Sequence, residues 1–578
     1  MSIAIRVERD VPMKMRDGVT LRADVFRPDD KEKHPSIVVR TPYNKIPSAH
    51  SDFLSPLEAA FAGYAVVLQD TRGRFASEGE YMPGAPEGAD GYDTIETVAA
   101  EPWCDGQVGM AGASYLGRNQ WQAALEAPPH LKAIAPHMIS SGMLSDFRLH
   151  GVQELEGAVS WFAAMALDMI GKMARKGKDV SEMLGKVRYA MTHVEEVCRF
   201  LPLKDLPYFD FEGLREGFLS RFSDEKDLSG LASEQDLFWS YDKVVVPCLH
   251  SAGWYDLFVG STLNNFLNMK DRGGSPLARQ GQHLIMGPWA HGVNLRNHVA
   301  GLNFGPYSSG VGSFVMNRHL AFFDQYLRGI ESRYLVPVRY FVMGRNTWKS
   351  AETWPLPETE WRRFFLHSRG SANSAAGGGL LSRKEPGSEP PDIFVYNPMN
   401  PVPTRGGRNN PDLALVAGPV DQSLLEQRND VLCYTTPELE EEVEITGPLT
   451  LHLFAATSAP DTDFMAKLVD VHPNGLAMNV AEGCVRARYR TSILKPQPVT
   501  PGQVYEYAID LAATSNLFGR GHRLRIDVTS SNFPRFDRNM NTGNPFGQDA
   551  TGIPAMQTVL HQDGQASYLD LPVIPAKK

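Results

Sequence analysis

The sequence predicts an α/β domain that is interrupted by helices and followed by an all-β domain, and three changes of pattern along the chain indicate this. Up to about residue 140, apolar β-like runs such as 36–40 and 65–69 alternate with helical stretches, which is typical of a largely parallel sheet flanked by helices. From about residue 141, long proline-free segments rich in Ala, Met, Leu and Glu predict helices at 157–173 and 180–200. Beyond about residue 350, alternating apolar runs separated by Gly, Pro, Asn and Asp predict a β-sandwich.

These patterns divide the 578 residues, which are too many for a single hydrophobic core, into domains. Residues 1–140 and 241–350 are expected to form one α/β domain, because a strand-like run returns at 244–251. Residues 141–240 are expected to form a helical cap over it, since they interrupt the sheet without ending it. Residues 351–578 are expected to form the β-sandwich.

Composition narrows the class of protein and its partners. A formal net charge of −10, without clustered Lys and Arg, argues against nucleic-acid binding. No apolar run approaches the roughly 18 residues of a membrane span, and the N-terminus, with Arg6 and no apolar core, does not resemble a signal peptide. We therefore expect a cytoplasmic protein. A homodimer is compatible with domains of this size, although no residue specifies one.

Signals for cofactors and metals are missing from the sequence. The five cysteines are widely spaced and form no C-x-x-C pair, which indicates free thiols and neither disulfides nor a zinc site. No Gly-Lys pair is followed by Ser or Thr as in a phosphate-binding loop, and no H-E-x-x-H occurs. We expect no cofactor and no metal, so side chains alone must supply the chemistry.

Ser114 is the first candidate for a catalytic residue. It lies in the run GMAGASYLG at 109–117, between an apolar strand-like run and a stretch at 115–127 that predicts a helix. A sharp strand-to-helix turn exposes a serine hydroxyl, requires small neighbours such as Gly112, and aims the next backbone amide at a developing oxyanion. Gly117 comes one place later than in the common G-x-S-x-G pattern.

An acid and a base follow Ser114 in the order that α/β hydrolases use, with each residue after its own strand. The run 244–251 leads to GWYD at 253–256, which offers Asp256. The run 283–286 leads to GPWAH at 287–291, which offers His291. Three strand ends that deliver Ser, Asp and His in this order predict a catalytic triad.

Each of these residues also has a purely structural interpretation. A serine between glycines occurs in ordinary turns. Asp256 could be the N-cap of a helix that begins near Leu257, and His291 could be a loop histidine at the surface. The spacing alone leaves these alternatives open.

Several motifs, in one order along nearly the whole chain, resemble the cocaine esterase group of serine hydrolases, within the X-Pro dipeptidyl-peptidase and α-amino acid ester hydrolase superfamily. They are TPYNK at 41–45, QDTRG at 69–73, GASYLG at 112–117, GWYD at 253–256, GPWAH at 287–291, PDTDF at 460–464, ATSN at 513–516 and SSNFP at 530–534. The resemblance implies a serine esterase or amidase with an α/β-hydrolase domain, an inserted helical cap and a C-terminal jelly-roll.

The resemblance also implies roles. Ser114 would attack an acyl carbonyl, His291 would move its proton, and Asp256 would orient the imidazole. The backbone amide of Tyr115 would be one oxyanion donor. The hydroxyl of Tyr43, which matches the tyrosine of the family's early loop, would be the second, although from sequence alone Tyr43 could simply be an aromatic packed in a turn.

The substrate is expected to be a small-molecule ester with an aryl or other bulky acyl group. Trp161, matching a family aromatic of the cap, is the leading candidate for the acyl pocket, and Trp254, Phe258 and Trp289 are further candidates. Each of these aromatics could instead belong to the core. The loop 405–419 departs from the family pattern, so its contribution to the pocket stays open.

Other functions compete. An α-amino acid ester hydrolase or β-lactam acylase would need a carboxylate cluster for the substrate ammonium, and the cap offers Asp146, Glu154, Glu156 and Asp168, which could also be ordinary helix charges. An X-Pro dipeptidyl-peptidase would also bind an amine. A non-catalytic binding scaffold is the remaining alternative, which a complete Ser, Asp and His set argues against.

Overall fold

The protein was analysed as a computed structural model, which describes residues 4–46, 54–82, 87–140, 142, 148–210, 214–220, 240–292, 296–411 and 413–576. Ten strands form a first sheet. They are β1 (Ile5–Lys14), β2 (Thr20–Pro28), β3 (His34–Thr41), β4 (Ala65–Asp70), β5 (Cys104–Ala113), β6 (Leu131–His137), β7 (Cys248–Tyr255), β8 (Gln282–Ala290), β9 (Val338–Val342) and β10 (Thr347–Ala351).

The strand order in this sheet is β1-β2-β4-β3-β5-β6-β7-β8-β9-β10. Every pair from β4 through β9 is parallel, whereas β1, β2 and β10 join as antiparallel edge strands. Parallel strands need crossover connections, and the helices between them supply most of these. The ten described α-helices are α1 (Pro56–Phe61), α2 (Gly88–Ala99), α3 (Tyr115–Leu125), α4 (Glu156–Arg175), α5 (Ser181–Thr192), α6 (Val194–Arg199), α7 (Arg215–Ser220), α8 (Val259–Arg272), α9 (Pro276–Gln280) and α10 (Val315–Phe323).

The strand register brings the carboxyl ends of the central strands together. Ala113 at the end of β5 pairs with His137 of β6, which pairs with Ser251 of β7. Two residues further along β7, Gly253 pairs with Gly287 of β8. In open parallel sheets ligands bind at this edge.

Helices α4 to α7 lie in the chain between β6 and β7, where the sequence predicts the cap. They enclose a hydrophobic core of their own, in which Phe162 packs against Phe209 and Phe218. The predicted helix 180–200 is interrupted at His193, whose φ of −128° and ψ of 40° are not helical.

A second sheet follows β10 in the chain. Its twelve strands are β11 (Glu360–His367), β12 (Leu380–Ser382), β13 (Asp392–Tyr396), β14 (Leu432–Thr435), β15 (Val443–Thr457), β16 (Asp463–Val471), β17 (Ala477–Arg486), β18 (Tyr505–Phe518), β19 (Arg523–Thr529), β20 (Ala555–Gln562), β21 (Gln565–Ala566) and β22 (Tyr568–Ile574). Apart from one parallel bridge between β12 and β14, these strands pair antiparallel around a separate apolar core.

Two sequence-based boundaries were wrong. The apolar run at 244–247 is not a strand, because the partner strand β8 begins only at Gln282 and pairing starts at Cys248. GWYD and GPWAH are largely strand rather than loop. Gly253 permits this, since a Cβ there would lie 2.0 Å from the Trp289 carbonyl oxygen.

Among the described helices, none combines the length and the apolar composition that crossing a bilayer requires.

Candidate active site

Ser114 occupies a strained turn between β5 and α3. Its φ of 57° and ψ of −126° lie outside the regions that non-glycine residues normally adopt. The Ser114 N–H donates to the His137 carbonyl oxygen at 2.9 Å, and the Ser114 carbonyl oxygen accepts from Gly117 N at 2.8 Å. The side chain remains partly exposed. Strain of this kind at an exposed serine is the geometry of a nucleophile elbow.

Both glycines that flank the turn are closely packed. Gly112 has a φ of +140°, and a Cβ there would lie 2.5 Å from the Leu116 side chain. Gly117 lies inside α3, where a Cβ would be 3.0 Å from Ile139. The buried Gln120 amide donates to the Gly112 carbonyl oxygen at 3.0 Å and so ties the helix to the incoming strand.

The first N–H groups of α3 point toward the same edge of the sheet. Tyr115 is the first residue of this helix, so its backbone N–H has no acceptor within the helix. The macrodipole of the helix favours negative charge near this end. The Tyr115 phenol points elsewhere, because it is buried and donates to Glu87 Oε1 at 3.0 Å. Burial raises the pKa of this phenol well above its usual range.

Asp256 and His291 meet at the ends of β7 and β8. His291 Nδ1 lies 2.9 Å from Asp256 Oδ2, and both residues are buried. The other carboxylate oxygen of Asp256 accepts from the Phe258 N–H at 2.6 Å. The N-cap interpretation of Asp256 is wrong, because helix α8 begins at Val259 and its N-cap is Phe258. One oxygen of Asp256 stabilises the turn before α8 and the other faces the imidazole. The Phe258 ring packs edge-on against His291 at 5.4 Å between centroids.

Tyr43 and Trp161 are joined by a hydrogen bond between the sheet and the cap. The Trp161 indole Nε1–H donates to the Tyr43 hydroxyl oxygen at 3.0 Å. The Trp161 ring also stacks on Tyr115, with 6.3 Å between ring centroids. Tyr81, Met165 and Met169 complete this apolar cluster. The cap helix α4 thus places an aromatic side chain directly beside the strand ends.

Arg74 was missed by sequence reasoning, although it directly follows the QDTRG motif. Its guanidinium is buried and donates to the Pro42 carbonyl oxygen at 2.8 Å and to the Met165 carbonyl oxygen at 3.0 Å. It therefore links the Tyr43 loop to α4. A nearby carboxylate, Asp70, accepts from Lys45 N at 2.8 Å and holds the other side of the same loop.

Trp254 and Trp289 lie in the core, which is the alternative that the sequence left open for them. Both are fully buried in the core of the first sheet. The Trp254 indole N–H donates to the Phe341 carbonyl oxygen at 2.7 Å, and that of Trp289 donates to the Ser308 carbonyl oxygen at 2.6 Å. Because they lie within β7 and β8, their side chains project from the sheet face into the core and not from the strand ends.

The loop 405–419, described except for residue 412, reaches both the first sheet and the cap. Arg408 is buried and donates to the carbonyl oxygens of Trp254 at 3.3 Å and of Ala513 at 3.1 Å. Ala414 N donates to Glu156 Oε1 at 3.1 Å. The C-terminal domain therefore contacts strand β7, which ends directly before Asp256, and the start of helix α4.

The carboxylates considered for binding an ammonium group have other contacts. Asp168 lies 3.7 Å from Arg74 and 3.9 Å from Arg175. Glu156 accepts from the Ser160 hydroxyl at 2.7 Å, and burial raises its pKa. Glu154 is buried and its backbone bridges to Phe536. Asp146 lies outside the described residues.

Comparison with known proteins supplies the context for this geometry. Two family profiles match, X-Pro dipeptidyl-peptidase (S15 family) over residues 17–293 and X-Pro dipeptidyl-peptidase C-terminal non-catalytic domain over residues 334–570. A cocaine esterase of Rhodococcus sp. (strain MB1 Bresler) is 38% identical over 580 residues, which cover 98% of each chain.

Two solved structures share the fold over their full length. An aminopeptidase from the marine sediment archaeon Thaumarchaeota archaeon superposes with a TM-score of 0.78 at 24% identity, covering 99% of this chain and 97% of that one. An α-amino acid ester hydrolase gives a TM-score of 0.78 at 24% identity, with coverage of 98% and 96%. These likenesses confirm the predicted α/β-hydrolase fold and the β-rich C-terminal domain.

Proposed function

Because the chain belongs to the cocaine esterase-like serine hydrolases of the X-Pro dipeptidyl-peptidase family, we propose that it hydrolyses carboxylic esters with a bulky or aryl acyl group through an acyl-enzyme on Ser114. The observation that carries this proposal is the convergence of three strand ends. Ser114 follows β5 in a strained turn, and the 2.9 Å contact between His291 and Asp256 joins the residues that follow β8 and β7.

The reaction uses these residues as a catalytic triad. The Ser114 hydroxyl attacks the ester carbonyl carbon while His291 Nε2 takes its proton, and Asp256 accepts from Nδ1 and stabilises the imidazolium. His291 then protonates the leaving alcohol. In the second half, water attacks the acyl-enzyme and gives its proton to His291. His291 then returns this proton to the Ser114 oxygen as the bond between that oxygen and the acyl carbon breaks, which releases the acid and free Ser114.

Two donors on different elements stabilise the tetrahedral oxyanion. The Tyr115 backbone N–H is one, at the N-terminus of α3. The Tyr43 hydroxyl is the other. The bond from Trp161 uses a lone pair of the Tyr43 oxygen, so it orients the phenol and leaves its role as a donor intact. A phenol that accepts one hydrogen bond is also polarised toward donating another.

The contacts of the cap favour an uncharged acyl group. Trp161 and Phe258 present aromatic surface beside Tyr43 and His291 respectively. The negative charge of Asp168 is compensated by two arginines, and Glu156 already accepts hydrogen bonds from the Ser160 hydroxyl and the Ala414 N–H. Asp168 and Glu156 are thus occupied, which supports an ester substrate without an α-amino group. The β-rich C-terminal domain is, on this proposal, a jelly-roll that buttresses the site through loop 405–419.

The compartment belongs to the same proposal. All five cysteines are buried as free thiols, which supports a reducing cytoplasm.

The nucleophile can be tested with a fluorophosphonate probe. We expect mass spectrometry to locate one adduct on Ser114 in the wild type, none in Ser114→Ala, and labelling slowed by orders of magnitude in His291→Ala. Folded protein that is not labelled would refute the catalytic assignment and revive the binding scaffold.

The acyl preference can be tested with a matched pair, methyl phenylacetate and methyl phenylglycinate, which differ only in the amino group. We expect a higher kcat/KM for the uncharged ester. A clear preference for the amine would assign the enzyme to the α-amino acid ester hydrolases and imply that cap carboxylates bind the ammonium.

A further inference from the structure

We propose that the C-terminal domain binds one divalent metal ion of the zinc class through Asp470, His472 and His522. Asp470 and His472 lie at the end of β16, and His522 directly precedes β19. Each residue offers one ligand atom, an imidazole nitrogen or a carboxylate oxygen, and these three atoms lie within 4.8 Å of one another. Two imidazoles and one carboxylate form a common ligand set for Zn²⁺ and similar ions. The site shares no residue with the proposed triad and does not depend on the proposed function.

The geometry is close to that of a chelate. His522 Nδ1 is 2.7 Å from Asp470 Oδ1, and His472 Nε2 is 3.7 Å from Asp470 Oδ2. The two imidazole rings lie 4.4 Å apart, centroid to centroid. With metal–ligand bonds of about 2.0–2.2 Å, the ligand atoms around a tetrahedral zinc ion are separated by about 3.4 Å. Side-chain rotations that bring the ligand atoms from within 4.8 Å of one another to this separation would complete the site.

Charge also favours a cation here. Asp470 is buried, with 7% of its surface exposed. Its ionic contacts in the described part of the chain are to His472 and His522, with no lysine or arginine within the same distance. The charge of a buried carboxylate is costly unless it is paired or coordinates a metal ion. A dication held by all three groups would balance it.

The backbone on both sides is already fixed. In the turn after β16, His472 N donates to the Leu476 carbonyl oxygen at 2.8 Å. In the turn before β19, His522 N donates to the Gly519 carbonyl oxygen at 3.1 Å, and the His522 carbonyl oxygen accepts from Leu439 N at 2.8 Å. The imidazoles nevertheless keep 34% and 20% of their side-chain surface exposed, so an ion can reach them from solvent. Three protein ligands leave the fourth position to water. The ion would join the turns of two adjacent strands.

The test is a calorimetric titration of chelator-treated full-length protein with ZnCl₂. We expect the wild type to bind one zinc ion tightly per protein molecule. In both His472→Ala and His522→Ala we expect the affinity for zinc to fall at least tenfold. The matched control is His367→Gln in the same domain. His367 Nδ1 contacts Glu389 and its Nε2 contacts the Lys384 carbonyl oxygen, so both ring nitrogens are engaged away from the Asp470 cluster and the variant should bind as the wild type does.

A second titration separates this site from the triad, whose His291–Asp256 pair could also bind zinc. The tight equivalent should persist in His291→Ala. Co²⁺ should give visible d–d absorption in the wild type that is lost in His472→Ala, provided that circular dichroism shows both proteins to be folded. Absence of a stoichiometric equivalent in the wild type, its loss in His291→Ala, or its survival in both histidine variants would overturn the proposal.

Discussion

The strand ends of the first sheet and the elements that pack on them differ in how the sequence encodes them. Ser114, Asp256 and His291 each follow a strand directly, so local motifs mark them. Arg74, Trp161 and Arg408 come from a loop, the cap and the C-terminal domain, and they act on the site through contacts at long sequence separation. On the proposed mechanism, the strand ends supply the chemistry and the packed elements supply its alignment.

This comparison predicts a graded series of losses. Replacing a residue that touches the reacting atoms should lower the activity the most. Replacing a residue that only positions the reactive groups should lower the activity less, and it should change kcat more than folding.

The largest loss in the series is expected for Tyr43→Phe. Removing one oxyanion donor costs about 3 kcal/mol, or roughly a hundredfold in turnover, because the developing negative charge loses a preorganised partner. Steady-state kinetics on an aryl ester would measure it, with an unchanged melting temperature as evidence of folding. Tyr189→Phe, whose hydroxyl contacts Glu196 within the cap, is the control. Activity within twofold of the wild type would remove Tyr43 from the oxyanion site.

Arg74→Met should follow, with about a tenfold loss of kcat. The loop that carries Tyr43 and helix α4 would lose their shared donor, and small displacements of positioned groups are costly to catalysis. Leaving buried carbonyl oxygens unpaired should also lower the free energy of unfolding by about 1–3 kcal/mol. Urea unfolding and kinetics would measure both. Arg175→Met, an exposed arginine near the same Asp168, should change neither. A loss of stability without a loss of kcat would make Arg74 a purely structural residue.

Trp161→Phe should lower kcat about fivefold. Phenylalanine keeps an aromatic ring beside Tyr115 but removes the hydrogen bond to Tyr43, and one such bond contributes about 1 kcal/mol. The separate effects on kcat and on KM distinguish two roles for Trp161. A fall in kcat at constant KM indicates that Trp161 positions the phenol, whereas a rise in KM alone would indicate that it only lines the acyl pocket.

The smallest effect concerns Glu156 and is expected in stability rather than in rate. Burial raises the pKa of Glu156 in the folded state, so the folded protein binds this proton more tightly than the unfolded chain does. Its contribution to stability is therefore lost as the pH rises above the ordinary glutamate range. Glu156→Gln should flatten that decline in thermal unfolding between pH 5 and 8. The exposed Glu182→Gln should leave the profile as in the wild type, and an unchanged profile in Glu156→Gln would contradict the prediction.

The sequence predicted the α/β fold, the helical insertion and the β-rich C-terminal domain, because periodicity and turn residues are local signals. It also selected Ser114, Asp256, His291 and Tyr43 as the residues to examine. It did not decide whether Trp254 and Trp289 line a pocket or belong to the core, and the structure places both in the core. Both lie in motifs beside the acid and the base, but a residue within a strand points to one face of the sheet, and only the register decides whether that face is core.

What the sequence determined by itself is the order of the reactive groups and the strands that carry them, since a group at the end of a parallel strand necessarily lies at one edge of the sheet. Only the tertiary structure decided which distant residues hold those groups. Arg74 and Trp161 meet the Tyr43 loop through the cap, and the two histidines near Asp470 are separated by about fifty residues. The physical reason is that hydrogen bonds and ion pairs act over a few ångströms in space, and no local pattern in the chain records which distant segments will come that close.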